Sequence, residues 1–158
     1  TFLRPTVIYG KGFKTGFEVV INLIKSGGMR IIGDGNNRLH FVHAKDCANA
    51  FYLAAVKKPL NDAFNIGGPE VATQEEIMAL VAGRLGVNQP KKHVDKRIAI
   101  WGARLAYLVK KLQGKNPQML TRYIEIISND RFFDISKAKR LLGYKPSIGY
   151  ERGIKDFL

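Results

Sequence analysis

The sequence has 158 residues, of which 46% are hydrophobic, a size and composition typical of one domain or one large part of a domain. Its net charge of +13 favours anionic partners such as phosphorylated ligands or an acidic surface. The single cysteine, Cys47, excludes an internal disulfide and predicts a reducing compartment, and the longest apolar run, Cys47 to Val56, is too short to span a bilayer.

Predicted strands and helices alternate along the front of the sequence. A buried strand over Leu3–Tyr9 leads through the stretch GKGFKTG into a helix, where Thr15 and Glu18 have the spacing of a capping box. The next stretch, MRIIGDGNNRLHFVH, predicts two short strands joined by a turn at Asp34-Gly35. Asp46 is the predicted N-cap of a buried, almost wholly apolar helix.

A further strand and a helical region follow. The stretch AFNIGG predicts the strand, and Thr73 and Glu76 form a second capping box at the start of an amphipathic helix. Later helices are predicted from Asn116-Pro117 to Ile127, after Ser136, and from about Ile148 onward. The chain is therefore α/β at its front and mainly helical behind, with too few strands for a free-standing doubly wound sheet.

The most basic stretch, Lys91–Lys115, predicts a long amphipathic helix. Its apolar residues recur every three or four positions: Val94, Ile98, Trp101, Leu105, Leu108 and Leu112. We expect this stripe to pack into the core and the lysines to be solvated. The alternative is a non-enzymatic basic module that binds an anionic membrane or polymer through this helix. No zinc-finger spacing or aromatic RNA-binding signature accompanies the charge, so we expect no nucleic-acid partner.

Two patterns imitate functional sites. Gly10, Gly12 and Gly16 resemble a dinucleotide fingerprint, but one residue too many precedes the third glycine. Tyr107 and Lys111 share a helix face, as a Tyr general acid and its assisting Lys require, but on a helix dense with lysines a solvated face is the better explanation. We therefore assign neither pattern a catalytic role.

His40, His43 and Asp46 follow one another at three-residue intervals, which raises the question of a metal site. If LHFVH is a strand, however, the two histidines point to opposite faces. They cannot then converge on one ion, and we predict no metal-binding residues.

Four stretches in the right order and at the right separations carry a family resemblance: LRPTVIYGKG, IIGDGNNRLHFVHAKDCANAFYLA, AFNIGG and FDISKAKRLLGYKPSIGYERGIKDF. Together they resemble the extended short-chain dehydrogenases/reductases, the NAD-dependent epimerase/dehydratase family. The resemblance implies the C-terminal half of such an enzyme. Residues 1–10 would be the last strand region of a Rossmann-type, doubly wound nucleotide-binding sheet, and residues 11–158 a mainly helical substrate-binding subdomain. The family's glycine-rich loop and Tyr-x-x-x-Lys pair would belong to an absent N-terminal half.

The resemblance also implies site residues. Those that would cover the nicotinamide ring of NAD or NADP are Pro5, Thr6 and Val7. Those that would border the substrate in a loop are Tyr9, Gly10, Lys11 and Gly12. Those that would form the outer wall of the substrate pocket are Arg30, Ile32, Arg38, Leu39 and His40. No catalytic residue is carried over to this chain.

Two departures from the nucleotide-sugar epimerases favour a less polar substrate. Val7 stands where those enzymes have Asn, and Leu39-His40 stands where they have an Arg-Asp pair, with Arg38 adjacent. Apolar side chains against a diphosphate would leave its oxygens without partners. The sequence therefore more closely resembles the 3β-hydroxysteroid dehydrogenase-like members.

The resemblance implies a parent enzyme that oxidises a secondary alcohol, or reduces a ketone, on a sterol-like compound, another small hydroxy compound or a nucleotide sugar. This half would orient the substrate and would be inactive alone. We expect the missing half of the polypeptide as its partner, self-association through an exposed sheet edge, and a cytoplasmic location, with peripheral membrane contact as an alternative.

Overall fold

The computed structural model describes residues 1–11, 17–58, 60–114 and 121–157. Its helices are α1 (Phe17–Lys25), α2 (Ala44–Val56), α3 (Gln74–Leu85), α4 (Lys96–Leu112), α5 (Thr121–Ser128) and α6 (Tyr150–Phe157), with a π-helical turn at Ala138–Leu142. Its strands are β1 (Phe2–Pro5), β2 (Val7–Tyr9), β3 (Ile31–Ile32), β4 (Arg38–Leu39), β5 (Phe41–His43), β6 (Ala63–Ile66), β7 (Ala72–Thr73) and β8 (His93–Val94). No helix within the described ranges is long and apolar enough to cross a membrane.

The chain divides into two compact units. The first unit contains Thr1–Glu18, Leu39–Ala72 and Phe132–Leu158, and the second unit contains Val19–Arg38 and Thr73–Arg131. The division predicted after residue 10 stays a prediction. Some predictions fall outside the described residues: the first capping box at Thr15, the loop glycines Gly12 and Gly16, and the helix start at Asn116-Pro117.

Two pairs of parallel strands build the first unit. β1 pairs with β6, with Leu3 opposite Phe64, and β2 pairs with β5, with Val7 opposite Phe41. Helix α2 packs against β1, β2 and β5. The buried core comprises Val42, Cys47, Ala50, Phe64, Ile66, Ile135, Ala138, Leu142 and Tyr144. The strand predicted over AFNIGG is confirmed. The single strand predicted over Leu3–Tyr9 is instead two strands, which are separated at Thr6 and pair with different partners.

Asp46 joins helix α2 to the segment that leads into α6. Its buried carboxylate accepts the backbone N–H groups of Ser147 at 3.1 Å and Ile148 at 2.9 Å. The prediction that Asp46 caps α2 is wrong, because the N-cap is His43, whose Nδ1 accepts the N–H of Lys45 at 3.2 Å. Asp46 lies in the first turn of the helix, and its distant partners satisfy a carboxylate that would otherwise be buried alone.

The start of helix α3 confirms one predicted feature, and the strands around Asp34-Gly35 correct another. Helix α3 begins with the predicted capping box, in which Thr73 Oγ1 accepts the N–H of Glu76 at 3.2 Å and Glu76 Oε2 accepts the N–H of Thr73 at 2.8 Å. The two strands predicted around Asp34-Gly35 do not pair with each other: β3 pairs with β8, and β5 pairs with β2. The turn sequence marked a change of direction but did not specify the partner strands.

The buried side chain of Gln74 holds the second unit together. Its Oε1 accepts the N–H of Ile32 at 2.7 Å, and its Nε2 lies 3.1 Å from the carbonyl oxygen of Ile32 and 2.9 Å from that of Ile127. A buried amide is tolerated only when its polar atoms are paired, as they are here. Gln74 thus fixes strand β3 and helix α5 to the start of α3.

Helix α4 forms as predicted, but the expectation that its apolar stripe is core is wrong. Five stripe residues are between 52% and 80% exposed: Ile98, Trp101, Leu105, Leu108 and Leu112. The partly buried side of the helix contains Ala99, Ile100, Ala103 and Tyr107 instead, and α4 packs on α5. Periodicity locates an apolar stripe but does not decide whether that stripe faces the chain's own core.

Candidate functional site

The residues predicted to cover a nicotinamide ring connect β1 to β2 in the first unit. Pro5 lies opposite Ile66, and Thr6 donates its N–H to the carbonyl oxygen of Ile66 at 2.8 Å. The Thr6 hydroxyl Oγ1 is buried and has no hydrogen-bond partner among the described residues. Because native proteins leave few buried polar atoms unpaired, this hydroxyl fits a ligand group such as a carboxamide. The role of Pro5, Thr6 and Val7 beside a nicotinamide ring stays a prediction.

Strand β2 leads into a loop beside a small polar pocket. Gly10 has a φ of +136°, and a Cβ at this position would lie 3.1 Å from His43 Nε2. Both the backbone conformation and the space therefore call for glycine. Lys11 lines a pocket of about 380 Å³ with His43, Ala44, Lys45 and Asp156. Burial lowers the pKa of His43, and its Nε2 is buried without a hydrogen-bond partner among the described residues.

Tyr9 is buried at the start of this loop. Its hydroxyl lies 3.4 Å from the carbonyl oxygen of Gly149, to which it donates. Burial is the main cause of the raised pKa of Tyr9, and the neighbouring Tyr150 raises that pKa further. The phenol is therefore neutral at physiological pH, and it packs edge-on against His43, with ring centroids 5.3 Å apart.

Leu39 and His40 lie inside the first unit. Leu39 is 2% exposed and its carbonyl oxygen accepts the Tyr150 hydroxyl at 2.8 Å. His40 is 3% exposed, its Nε2 lies 3.1 Å from the carbonyl oxygen of Gly68, and its ring stacks on Phe132 at 5.9 Å. Both residues hold the unit together, and their part in a substrate wall stays a prediction.

Arg38 belongs to the second unit, where its guanidinium pairs with Asp130. Nη2 of Arg38 lies 2.6 Å from Oδ2 of Asp130, and both side chains are about half exposed. The predicted substrate-binding arginine is thus engaged by a carboxylate of its own chain.

Arg30 and Ile32 line an apolar cavity of about 420 Å³ in the second unit. Further lining residues come from four elements: Val20 and Leu23 of α1, Val94 of β8, Ala99 and Gly102 of α4, and Tyr123 of α5. Among the described residues that line it, Arg30 is the one that carries a charge, and its Nη1 donates to the carbonyl oxygens of Gly27 at 3.0 Å and Met29 at 2.9 Å. The volume lies within the range of about 300–1,000 Å³ found for small-molecule sites.

Sequence reasoning found two residues of this cavity and missed the others. The resemblance gave Arg30 and Ile32, whereas α4 and α5 contribute residues that no motif marked. Val94, which the periodic pattern of Lys91–Lys115 included, also lines the cavity, but that pattern predicts burial without indicating a cavity.

Comparison with known proteins identifies relatives of the chain. Residues 1–67 match the NAD dependent epimerase/dehydratase family. The chain is 31% identical to the sterol-4-alpha-carboxylate 3-dehydrogenase (decarboxylating) of Saccharomyces cerevisiae, over 99% of this chain and 48% of that protein. It is 30% identical to 3beta-hydroxysteroid-dehydrogenase/decarboxylase isoform 1 of Arabidopsis thaliana, over 97% of this chain and 38% of that protein. The chain spans less than half the length of these curated relatives.

Solved structures share the fold. The crystal structure of UDP-glucuronic acid 4-epimerase from Bacillus cereus in complex with NAD superposes with a TM-score of 0.67 at 21% identity, over 98% of this chain and 42% of that chain. At this identity the similarity establishes an α/β fold with Rossmann-type neighbours. Residues 1–67 thus match the NAD dependent epimerase/dehydratase family, and the two dehydrogenase relatives are similar to this chain along nearly its whole length.

Proposed function

We propose that this chain forms the C-terminal, substrate-binding portion of an NAD(P)-dependent oxidoreductase that acts on a secondary alcohol or ketone in a largely apolar molecule. The observation that carries this proposal is the cavity of the second unit, which is lined by aliphatic residues and Tyr123 with Arg30 as its charged member. A sterol or a similar alicyclic compound would bury its hydrocarbon body there. The names of the two curated relatives, both sterol or steroid dehydrogenases, support the same substrate class.

Physical chemistry disfavours a nucleotide sugar in this cavity. A diphosphate moved from water into an aliphatic pocket loses its hydration, and its oxygens need charged or N–H donors in return. Arg38, which would be a natural donor, is paired with Asp130. An apolar ligand needs no such donors and gains about 25 cal/mol for each Å² of apolar surface that it removes from water.

The first unit provides the cofactor side of the proposal. Thr6, flanked by Pro5 and Val7, offers its unpaired hydroxyl to the nicotinamide end of NAD or NADP. When bound, the cofactor supplies the hydride acceptor or donor. The role of this chain is to hold and orient both molecules, which is a positioning contribution to catalysis.

We expect the family's Tyr–Lys pair to come from residues outside this sequence. The Tyr107 and Lys111 of this chain lie on α4, downstream of the place that the family's motif order gives to that pair. The chain alone should therefore show no NAD(P)-linked turnover. Formation of NADH from a hydroxysteroid by the purified chain alone would contradict this positioning role.

A nucleotide-sugar epimerase is the second candidate, favoured by the pocket of the first unit. Lys11 and Lys45 line that pocket together with His43, so it could hold phosphate oxygens. This candidate shares the cofactor but predicts that UDP-glucuronic acid binds and that a sterol does not.

Titration of the chain with a fluorescent sterol separates the two candidates. Gly102 lines the apolar cavity and Gly83 lines a different pocket of the same unit, and a Cβ added at either glycine meets no atom within 4 Å. Gly102→Phe should fill the cavity and weaken sterol binding at least about tenfold, equivalent to about 1.4 kcal/mol. Gly83→Phe is the matched control and should bind like the wild type. The apolar-substrate proposal would be refuted if UDP-glucuronic acid displaced the bound sterol. It would also be refuted if both variants bound the sterol equally well.

A further inference from the structure

Helix α4 presents an apolar surface to solvent along its whole length. The residues Ile98, Trp101, Leu105, Leu108 and Leu112, here called the outer stripe, recur at intervals of three and four and lie on one side of the helix. They are between 52% and 80% exposed. Single exposed apolar residues are ordinary on protein surfaces, but a contiguous stripe of this kind marks an interaction surface.

Basic residues follow the same stripe. Arg97, Arg104 and Lys111 recur every seven residues and therefore form a row along one edge of the outer stripe, here called the basic row. Arg104 lies 6.0 Å from the ring centroid of Trp101, so the row and the stripe touch. From Lys96 to Leu112 the helix contains five basic residues and no acidic one.

We propose that α4 lies on an anionic lipid surface, with its outer stripe in the headgroup boundary and its basic row on lipid phosphates and carboxylates. A helix with one apolar side, flanking Lys and Arg, and a Trp at the boundary has the features of an interfacial helix. Charge complementarity selects this occupant over a second copy of the chain, because the α4 of another copy offers no carboxylate to the basic row. The whole chain contains 26 basic and 13 acidic residues, and this positive charge also favours binding to an anionic lipid surface.

The location of α4 links this surface to the cavity of the second unit. Ala99 and Gly102 of the same helix line that cavity. A substrate that partitions into lipid would then meet the cavity at the membrane. This link rests on the proposed function, whereas the docking surface depends only on the outer stripe and the basic row.

Flotation with lipid vesicles tests the proposal without any substrate. The wild-type chain should float with phosphatidylcholine vesicles that contain phosphatidylserine at least about tenfold more than with phosphatidylcholine alone, and raised salt should weaken the association. Trp101→Glu with Leu105→Glu should abolish flotation, and Arg104→Glu with Lys111→Glu should reduce it to the level seen with neutral vesicles. All four positions are exposed, so these changes are compatible with the fold, which circular dichroism checks.

A matched control substitutes exposed apolar residues elsewhere. Tyr52→Glu with Val56→Glu on α2 adds the same charge as the stripe variant and should float like the wild type. Equal flotation on neutral and anionic vesicles, no flotation of the wild type, or wild-type flotation by the stripe variant would overturn the proposal. If the wild type were a dimer in solution and the stripe variant a monomer, the outer stripe would contact a second copy of the chain. That result would also overturn the proposal. Sterol titration and flotation can fail separately, so each proposal is tested by itself.

Discussion

Arg38 and Asp130 are joined through both their side chains and their backbone. The guanidinium Nη2 lies 2.6 Å from Oδ2, Nε lies 3.1 Å from Oδ1, and the backbone N–H of Arg38 donates to Oδ1 at 2.7 Å. The Arg38 hydrogen bonds hold the pKa of Asp130 below its ordinary value. The family resemblance predicts that Arg38 contacts the substrate. Its positive charge is instead balanced by the carboxylate of Asp130 in the same chain.

Replacement of this carboxylate should change ligand preference rather than stability. In Asp130→Asn the guanidinium loses its charge partner, so we expect UDP-glucuronic acid to bind more tightly than to the wild type, by about threefold or more. The ion pair is exposed, so thermal stability should change little. Calorimetric titration measures the affinity, and Asp34→Asn, which removes a carboxylate of the same unit that bonds to Asn36, serves as the control. Unchanged affinity would mean that Arg38 does not face an anion site.

Asp46 is expected to be among the most sensitive polar positions of the first unit. Asp46→Ala leaves the N–H groups of Ser147 and Ile148 without their acceptor, which should lower the free energy of unfolding by about 2–4 kcal/mol. Asp46→Asn keeps an oxygen acceptor and should cost about half as much. Urea denaturation measures both values. Equal stability of Asp46→Ala and the wild type would show that the segment before α6 is held by other contacts.

Gly68, the second glycine of AFNIGG, should tolerate no side chain, because the backbone approaches it closely. A Cβ on Gly68 would lie 2.6 Å from the carbonyl oxygen of Phe41, which is backbone of β5 and cannot rotate away. We expect Gly68→Ala to destabilise the chain by about 2–4 kcal/mol. Gly83→Ala, in helix α3 with open space around it, should be neutral or stabilising by up to about 1 kcal/mol. Thermal unfolding of the two variants provides the comparison, and similar melting temperatures would contradict this account.

Tyr150 should make stability depend on pH in the alkaline range. Its hydroxyl donates to the carbonyl oxygen of Leu39 and accepts the N–H of Phe41 at 3.1 Å, and burial raises its pKa from 10.0 to about 12. The folded chain holds this proton more tightly than the unfolded chain. The stabilisation is therefore complete below pH 10 and is lost as pH rises from about 10 to about 12.

Tyr150→Phe isolates this effect. At neutral pH it should cost about 1–3 kcal/mol, because the N–H of Phe41 loses its acceptor. Between pH 10 and 12 the variant should lose less stability than the wild type, since one titrating phenol is gone. Tyr52→Phe, at an exposed tyrosine, should match the wild type throughout. Denaturation at a series of pH values measures the slopes, and parallel curves for Tyr150→Phe and the wild type would refute the assignment.

Local patterns predicted local structure well. The capping box of Thr73 and Glu76, the strand over AFNIGG and the existence of α4 follow from residues close together in sequence, and the structure confirms them. The start of α4 was predicted too early, because His93 and Val94 form strand β8 and the helix begins at Lys96. Asp46 was misassigned because its partners lie 101 and 102 residues away, beyond the reach of any helix-cap pattern.

The surroundings of each element were harder to predict. The stripe of α4 has the periodicity of a core helix, and only the packing of Ala99 and Ala103 shows that the opposite side faces the protein. The cavity depends on how α1, α4 and α5 come together, so the sequence supplied Arg30 and Ile32 through a family resemblance and nothing for Tyr123. Which faces meet is decided by tertiary packing, which a linear pattern does not contain.

Photoaffinity labelling with a diazirine-bearing sterol tests the central claim most directly, because mass spectrometry locates the labelled residues. The account predicts saturable labelling of residues that line the cavity of the second unit, such as Met29, Tyr123 and Ile127. Gly102→Phe should suppress this labelling, and an excess of UDP-glucuronic acid should leave it unchanged. Labels that fall instead on the Lys11 pocket of the first unit, or labelling that UDP-glucuronic acid abolishes, would contradict the assignment of an apolar substrate to this chain.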